Sequence, residues 1–293
     1  MIRSHRTWIP SVVTVLLLGA AAGRADVQPG DTVSKENVDK VTDLVSPGVK
    51  WCIDHGLKLK IVPYKRIEWN KAYREATEKY SGQVKLGADG RSIQGQVAGM
   101  PFPKLDPNDP QVAVKIMWNY EHRPYGTDDV DLRNFDADTG PLGDGPMGIE
   151  RHYLLDHLRT LLYTSRLYVD PNPELPNPDK VRGKSSLHPI LEPFDLKGVG
   201  LTSIRYLDPD RQDDTLLYLP TLRRVRRLSS AQRSDALFGQ DTDVDSYAGY
   251  AGQIGWFTWK YLGEKNVLGS FHSESFPVTR SLNRDPMAII RSQ

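Results

Sequence analysis

The chain is 293 residues long, 39% hydrophobic and 26% charged, long enough for a sizeable core and too apolar for wholesale disorder. Lys and Arg number 38 against 37 for Asp and Glu, which excludes a global basic field of the kind that binds nucleic acid by charge alone. The single cysteine, Cys52, excludes an intramolecular disulfide and leaves stability to burial.

Residues 1–25 read as a secretory signal. Arg3 and Arg6 precede an apolar run from Ile9 to Ala22, and Gly23-Arg24-Ala25 supplies the small-residue cleavage site. The run is about 14 residues, short of the roughly 20 of a membrane-crossing helix. Cleavage between Ala25 and Asp26 leaves Cys52 too far from the new terminus to carry a lipid. A soluble exported protein is expected, periplasmic in a host with two membranes.

Residues 26–82 are expected to be mostly helical. Asn37–Val45 forms one short segment, and Pro47 opens a helix that Gly56 ends. Leu57, Leu59 and Ile61 alternate with Lys58, Lys60 and Val62 as in a short strand, and Trp69–Tyr80 reads as a charged, exposed helix. Gln83–Leu86 and Ser92–Val97 flank Ala88-Asp89-Gly90, the turn chemistry of a hairpin. Asp109-Pro110 then caps a helix with Val112, Ala113, Ile116, Met117 and Tyr120 on one side, suited to lie across a sheet.

Residues 124–148 are polar and Gly/Asp-rich and 170–178 are proline-rich, so both read as connections. Between them Leu154, Leu155 and Leu158 fit a helix, giving way to a strand after about Leu158. From Val199 five β segments follow: Val199–Leu207, Thr215–Leu219, Leu222–Leu228, Gln253–Leu262 and Lys265–His272. Successive antiparallel strands predict an α+β fold, mainly antiparallel β: a curved sheet or incomplete β-barrel with helices packed on it. One domain is expected over 26–276, helical to 82 and β-rich from 83, with an irregular tail at 277–293.

The motifs of nucleophile elbows, phosphate loops and zinc proteases are absent, so no catalytic residue is assigned and no enzyme is expected. His152 and His157 flank Asp156, but five residues on a helix or a strand turn the two rings to different sides, so they do not share a metal. Asp241, Asp243 and Asp245 begin like a calcium loop, yet Ser246 stands at the turn glycine and Gly252 at the terminal Glu. Asp136 and Asp138 fail in the same way, so no metal or other cofactor is expected. Arg223-Arg224-Val225-Arg226-Arg227 alternates across a strand; it suits an anionic headgroup or partner, or equally salt bridges to Asp208, Asp210, Asp213 and Asp214. Trp256, Phe257, Trp259 and Tyr261 form either plain core or the lining of a ligand cavity.

Several segments together resemble the bacterial domain-of-unknown-function family 1329, also named outer membrane lipoprotein-sorting protein-like, within the superfamily of lipoprotein-localisation carriers. They include Ser46-Pro-Gly-Val-Lys-Trp51, Lys115-Ile-Met-Trp118, Asp131-Leu-Arg-Asn-Phe-Asp136, His188-Pro-Ile-Leu-Glu-Pro-Phe194, Leu217-Tyr-Leu-Pro-Thr-Leu-Arg-Arg-Val-Arg-Arg227 and Phe238-Gly-Gln-Asp241. The resemblance implies an incomplete barrel whose interior accepts acyl chains, with Trp256, Phe257, Trp259, Tyr261 and Tyr218 lining it. It implies a hydrophobic ligand or lipid, a partner such as an inner-membrane resistance-nodulation-division-type exporter or an outer-membrane component, and no catalytic residues; the export signal, for its part, disfavours nucleic acid as a partner. Members of that family run longer, so the resemblance also implies a shortened C-terminus and a barrel lacking part of its wall.

Overall fold

A computed structural model describes residues 27–140, 150–229, 234–240, 242–243, 245 and 249–269, which fall into two compact units. The expected signal at 1–25, the tail at 277–293, and Asp241 and Ser246 of the calcium-like loop lie outside these residues. Among the described residues no helix is long and apolar enough to cross a membrane.

The first unit holds the described residues up to Pro63 together with Lys265–Gly269. Strand β1 (Thr32–Val33) pairs antiparallel with β2 (Leu59–Lys60). Between them runs helix α1 (Pro47–Asp54), whose first turn is fixed by Pro47 and by the Ser46 hydroxyl accepting from Val49 N at 3.2 Å. The chain leaves α1 through Gly56 at φ +105°, a conformation that a Cβ would strain. Val33, Val41 and Ile53 are fully buried at the centre of this unit.

The second unit runs from Tyr64 to Glu264. Helix α2 (Lys71–Tyr80) starts at Asn70, whose Oδ1 accepts from Tyr73 N at 2.9 Å. The expected hairpin forms as β3 (Lys85–Leu86) and β4 (Ile93–Gln94), with Asp89 Oδ1 accepting from Arg91 N and Ser92 N across the turn. Helix α3 (Val112–Glu121) follows; Asp109 tightens its approach by accepting from Gln111 N and pairing with Lys115.

Six strands then form one antiparallel sheet: β5 (Asp129–Thr139), β6 (Arg151–Leu162), β7 (Val181–Glu192), β8 (Gly200–Tyr206), β9 (Asp214–Leu219) and β10 (Arg224–Leu228). Their spatial order is their chain order, so β5 and β10 are the two edges and the sheet is not closed into a barrel.

Four of the sequence expectations are corrected here. Residues 129–139 are a strand rather than a connection: Val130 and Leu132 alternate with acids, and a positive φ of 52° at Asn134 breaks the pattern before Phe135 and Ala137. Residues 151–158 are strand and not helix, because a spacing of four satisfies both periods and the partners β5 and β7 on either side decide the outcome. Strand β7 had no counterpart; its Pro189 stands beside a register shift, where a ladder tolerates a missing N–H. Gln253–Leu262 is not a strand but a short 3-10 turn at Ile254–Trp256 with irregular chain after it, and the described part of Lys265–His272 is irregular too. Gly255 is buried there, packed against Pro209 and Arg91.

Candidate functional site

Alternate residues of a strand face opposite sides of a sheet, so the register decides which side chains meet. Reading across the ladder, Leu132 stands opposite Leu158, Leu158 opposite Leu187, Leu187 opposite Leu201, and Leu201 opposite Leu217. Five leucines from five neighbouring strands thus form one row. The next row on the same face is Val130, Thr160, Ser185, Ser203, Thr215 and Leu228, again directly opposed strand to strand. None of the five leucines is buried, and Leu132 is 48% exposed.

One end of this face is sealed by charge. Glu121, at the end of α3, pairs with Arg182 and Arg205, and Arg205 also grips Asp213 at 2.7 Å. Burial and the neighbouring Arg205 push the Arg182 guanidinium down to about 9, which still leaves it charged at neutral pH. The next residue, His122, is pushed down to about 4 by burial, and among the described residues its Nδ1 has no hydrogen-bond partner.

The other face of the sheet holds the buried Tyr153 and Ile190 and, toward the β5 edge, a polar cluster. His157 Nδ1 lies 2.7 Å from Asp131 Oδ1, with Arg159 beside the same nitrogen and Arg133 at the other. The bond from His157, with the Arg159 guanidinium, holds Asp131 below the usual carboxylate range. Farther along, His188, Gly200, Thr202, Leu216, Tyr218 and Val225 line a shallow depression of about 390 Å³.

The expected site residues are divided among these places. Tyr218 lies on the face opposite the leucine row, 41% exposed in the depression. Arg224 and Arg226 stand opposite Leu219 and Leu217, so they extend the leucine face at its edge, while Arg227 points the other way and pairs with Asp214. Arg223 is outside the strand, in a turn at φ +49°. Among the described residues, the salt-bridge alternative therefore holds for Arg227.

Trp256, Phe257, Trp259 and Tyr261 line no strand of the sheet. The Trp256 indole donates to Pro209 O at 3.1 Å, in the connection before β9, whereas Tyr218 is at the far end of β9. The Trp259 indole donates to Ile254 O, and Tyr250, Phe257 and Trp259 pack edge to face. These contacts describe a local aromatic cluster.

The leucine row itself was not among the expected residues. A signal for it exists: Leu158-x-Thr160, Ser185-x-Leu187, Leu201-x-Ser203 and Thr215-x-Leu217 reverse their order with each strand, as an antiparallel sheet requires of a common row. The row offers a continuous apolar strip with hydroxyls along one side and guanidinium groups at its edge.

No curated protein and no solved structure matches the chain. Residues 32–285 match a family described as protein of unknown function (DUF1329), a span that includes every strand and helix described above. By that match the chain belongs to the DUF1329 family.

Proposed function

We propose that this protein is a non-enzymatic binding protein of the bacterial envelope that carries an anionic amphiphile, a lipid or lipoprotein acyl chain, along the leucine face of its open sheet. The observation that carries the reading is the row of five half-open leucines in register. A protein gains about 25 cal/mol for each Å² of apolar surface withdrawn from water, so an acyl chain laid on this row binds by burial that the fold alone leaves undone. Arg226 opposite Leu217 supplies a cation for the headgroup at the edge of the row. Periplasmic location rests on the signal-like residues 1–25.

The test is displacement of a fluorescent fatty acid from the full chain after removal of the leader. Wild-type protein is expected to bind it saturably. The Leu187→Asn/Leu201→Asn variant, shown to be folded by circular dichroism, should bind roughly tenfold or more weakly. Equal binding by that variant overturns the reading. A screen with ester and phosphate substrates is expected to give no turnover.

A second reading is docking on an exporter or other envelope partner without cargo. It is favoured by β10, an edge strand all of whose residues are exposed and which presents Arg224 and Arg226. Envelope pull-downs with Arg224→Glu/Arg226→Glu separate the two: loss of a partner with ligand binding intact supports docking.

A further inference from the structure

Strand β10 (Arg224–Leu228) is bonded on one side only. Its five residues pair with β9 from Leu219 back to Thr215, all of them are exposed, and it is the outermost strand of the sheet. The N–H and C=O groups of successive residues point alternately to the two sides of a strand, so half of those in β10 face away from β9. Arg224 and Arg226 stand on one face of this edge, and Val225, 61% exposed, stands between them on the other. Arg223 precedes them in the turn at φ +49°. Among the described residues the side chains of Arg223, Arg224 and Arg226 have no carboxylate partner, whereas Arg227 is taken by Asp214. Open backbone groups and unpaired guanidinium groups thus meet at one edge.

We infer, resting on the docking reading above, that β10 is the acceptor edge for an extended acidic segment of a protein partner, which joins the sheet as its next strand with acids opposite Arg224 and Arg226. Backbone bonds supply the affinity of such an added strand and alternate side chains its selection. Five residues span about 17 Å, so a segment of that length with the pattern acid, apolar, acid meets Arg224, Val225 and Arg226 in turn. Each guanidinium offers a carboxylate two parallel N–H bonds, and opposite charges directly across a pair of strands stabilise it. A second copy of the chain does not supply this segment. Its β10 would set arginine against arginine, and the acids of its β5 are engaged: Asp129 with Arg166, Asp131 with His157 and Arg159, and Asp138 with His152. A lipid headgroup answers the charge but has no strand backbone to answer the edge.

The test is fluorescence anisotropy of a labelled peptide of alternating Glu and Val, about eight residues long and so able to span β10, titrated with the full chain after removal of the leader. Wild-type protein is expected to bind it saturably and to ignore the corresponding Lys-Val peptide. Arg224→Glu/Arg226→Glu, shown to be folded by circular dichroism, should weaken binding roughly tenfold or more and should take up the Lys-Val peptide instead. Methylating the peptide's backbone nitrogens, either at every Glu or at every Val, separates strand addition from charge. One pattern should abolish binding and the other preserve it, because alternate N–H groups face the same side of a strand. Leu187→Asn/Leu201→Asn should bind the peptide as wild type does, which keeps the outcome independent of the acyl-chain reading. Failure of wild type to bind the Glu-Val peptide overturns the inference, leaving arginines that only guard the edge against indiscriminate pairing. Equal binding of both methylated peptides also overturns it, marking an anion patch only. So does a wild-type oligomer that Arg224→Glu/Arg226→Glu dissociates, since a second copy then holds the edge. If the peptide fails while an envelope partner is still lost in pull-downs with the arginine variant, the docking reading stands and the acidic strand alone is removed.

Discussion

The connection around Asp128 and Arg166 and the leucine row lie in the same sheet unit, yet they spend their side chains in opposite ways. Asp128 is 1% exposed, and its carboxylate accepts from the backbone N–H of Leu167, Tyr168 and Val169. Arg166, 2% exposed, holds Asp129 with both terminal nitrogens and reaches the carbonyls of Leu162, Val169 and Pro171. Charge is thus buried where chain must be held, each lone pair and proton finding a partner. The leucines are left partly open, none of them buried. Buried polar groups hold the chain here, whereas the apolar row is left partly open to solvent.

The largest effect is therefore expected at the buried Arg166. Arg166→Ala leaves three backbone carbonyls without their donor, each costing about 1–3 kcal/mol if buried, while water reaches the half-exposed Asp129 carboxylate, so a loss of about 3 kcal/mol or more is expected. Urea melts should show this as a fall in midpoint with little change in slope. A loss well under about 1 kcal/mol would break the comparison, placing the connection among parts that hold nothing.

Next comes acid. His122 is held to about 4 in the folded protein against an ordinary 6.5, so the unfolded chain binds the proton first as pH falls. Stability from this residue is full above about 6.5 and is lost as pH drops toward 4, up to about 3 kcal/mol in all. Melts of wild type and His122→Phe between these limits should diverge, the wild type falling more steeply. Parallel curves would mean that the ring is reached by water.

The same division decides what could be read from the sequence. Strands β8 and β9, the turn before β10 and the helices of 47–54 and 71–80 were legible, because Pro and Gly mark ends and the hydrophobic period marks faces. The three longest strands were not. Strand β5 alternates apolar residues with acids that pair across the sheet, β7 is largely polar with Pro189 inside it, and the leucines of β6 satisfy two periods at once. The aromatic run at 256–261 misled in the other direction, since strand propensity lost to the glycines beside it and to indole bonds with backbone carbonyls. Site residues suffered likewise: Arg224 and Arg226 are near the leucine row, but the row exists only through register between strands many residues apart. The reversal of the hydroxyl-x-leucine pattern was the local trace of it.

The smallest effect sharpens the comparison from the leucine side. In ligand-free protein Leu187→Ser removes a half-open side chain from a surface already in contact with water. The cost should be about 1 kcal/mol, well below the 2–5 kcal/mol of truncating a leucine in a closed core. Ile53→Ala, in the fully buried centre of the first unit, gives that core value within the same chain. If bound fatty acid raises the melting temperature of wild type, the rise should vanish in Leu187→Ser while persisting in Ile53→Ala, because only the first change touches the surface the ligand covers. An equal loss of stability at both positions without ligand would show that the leucine row is core after all, covered by chain rather than by a ligand.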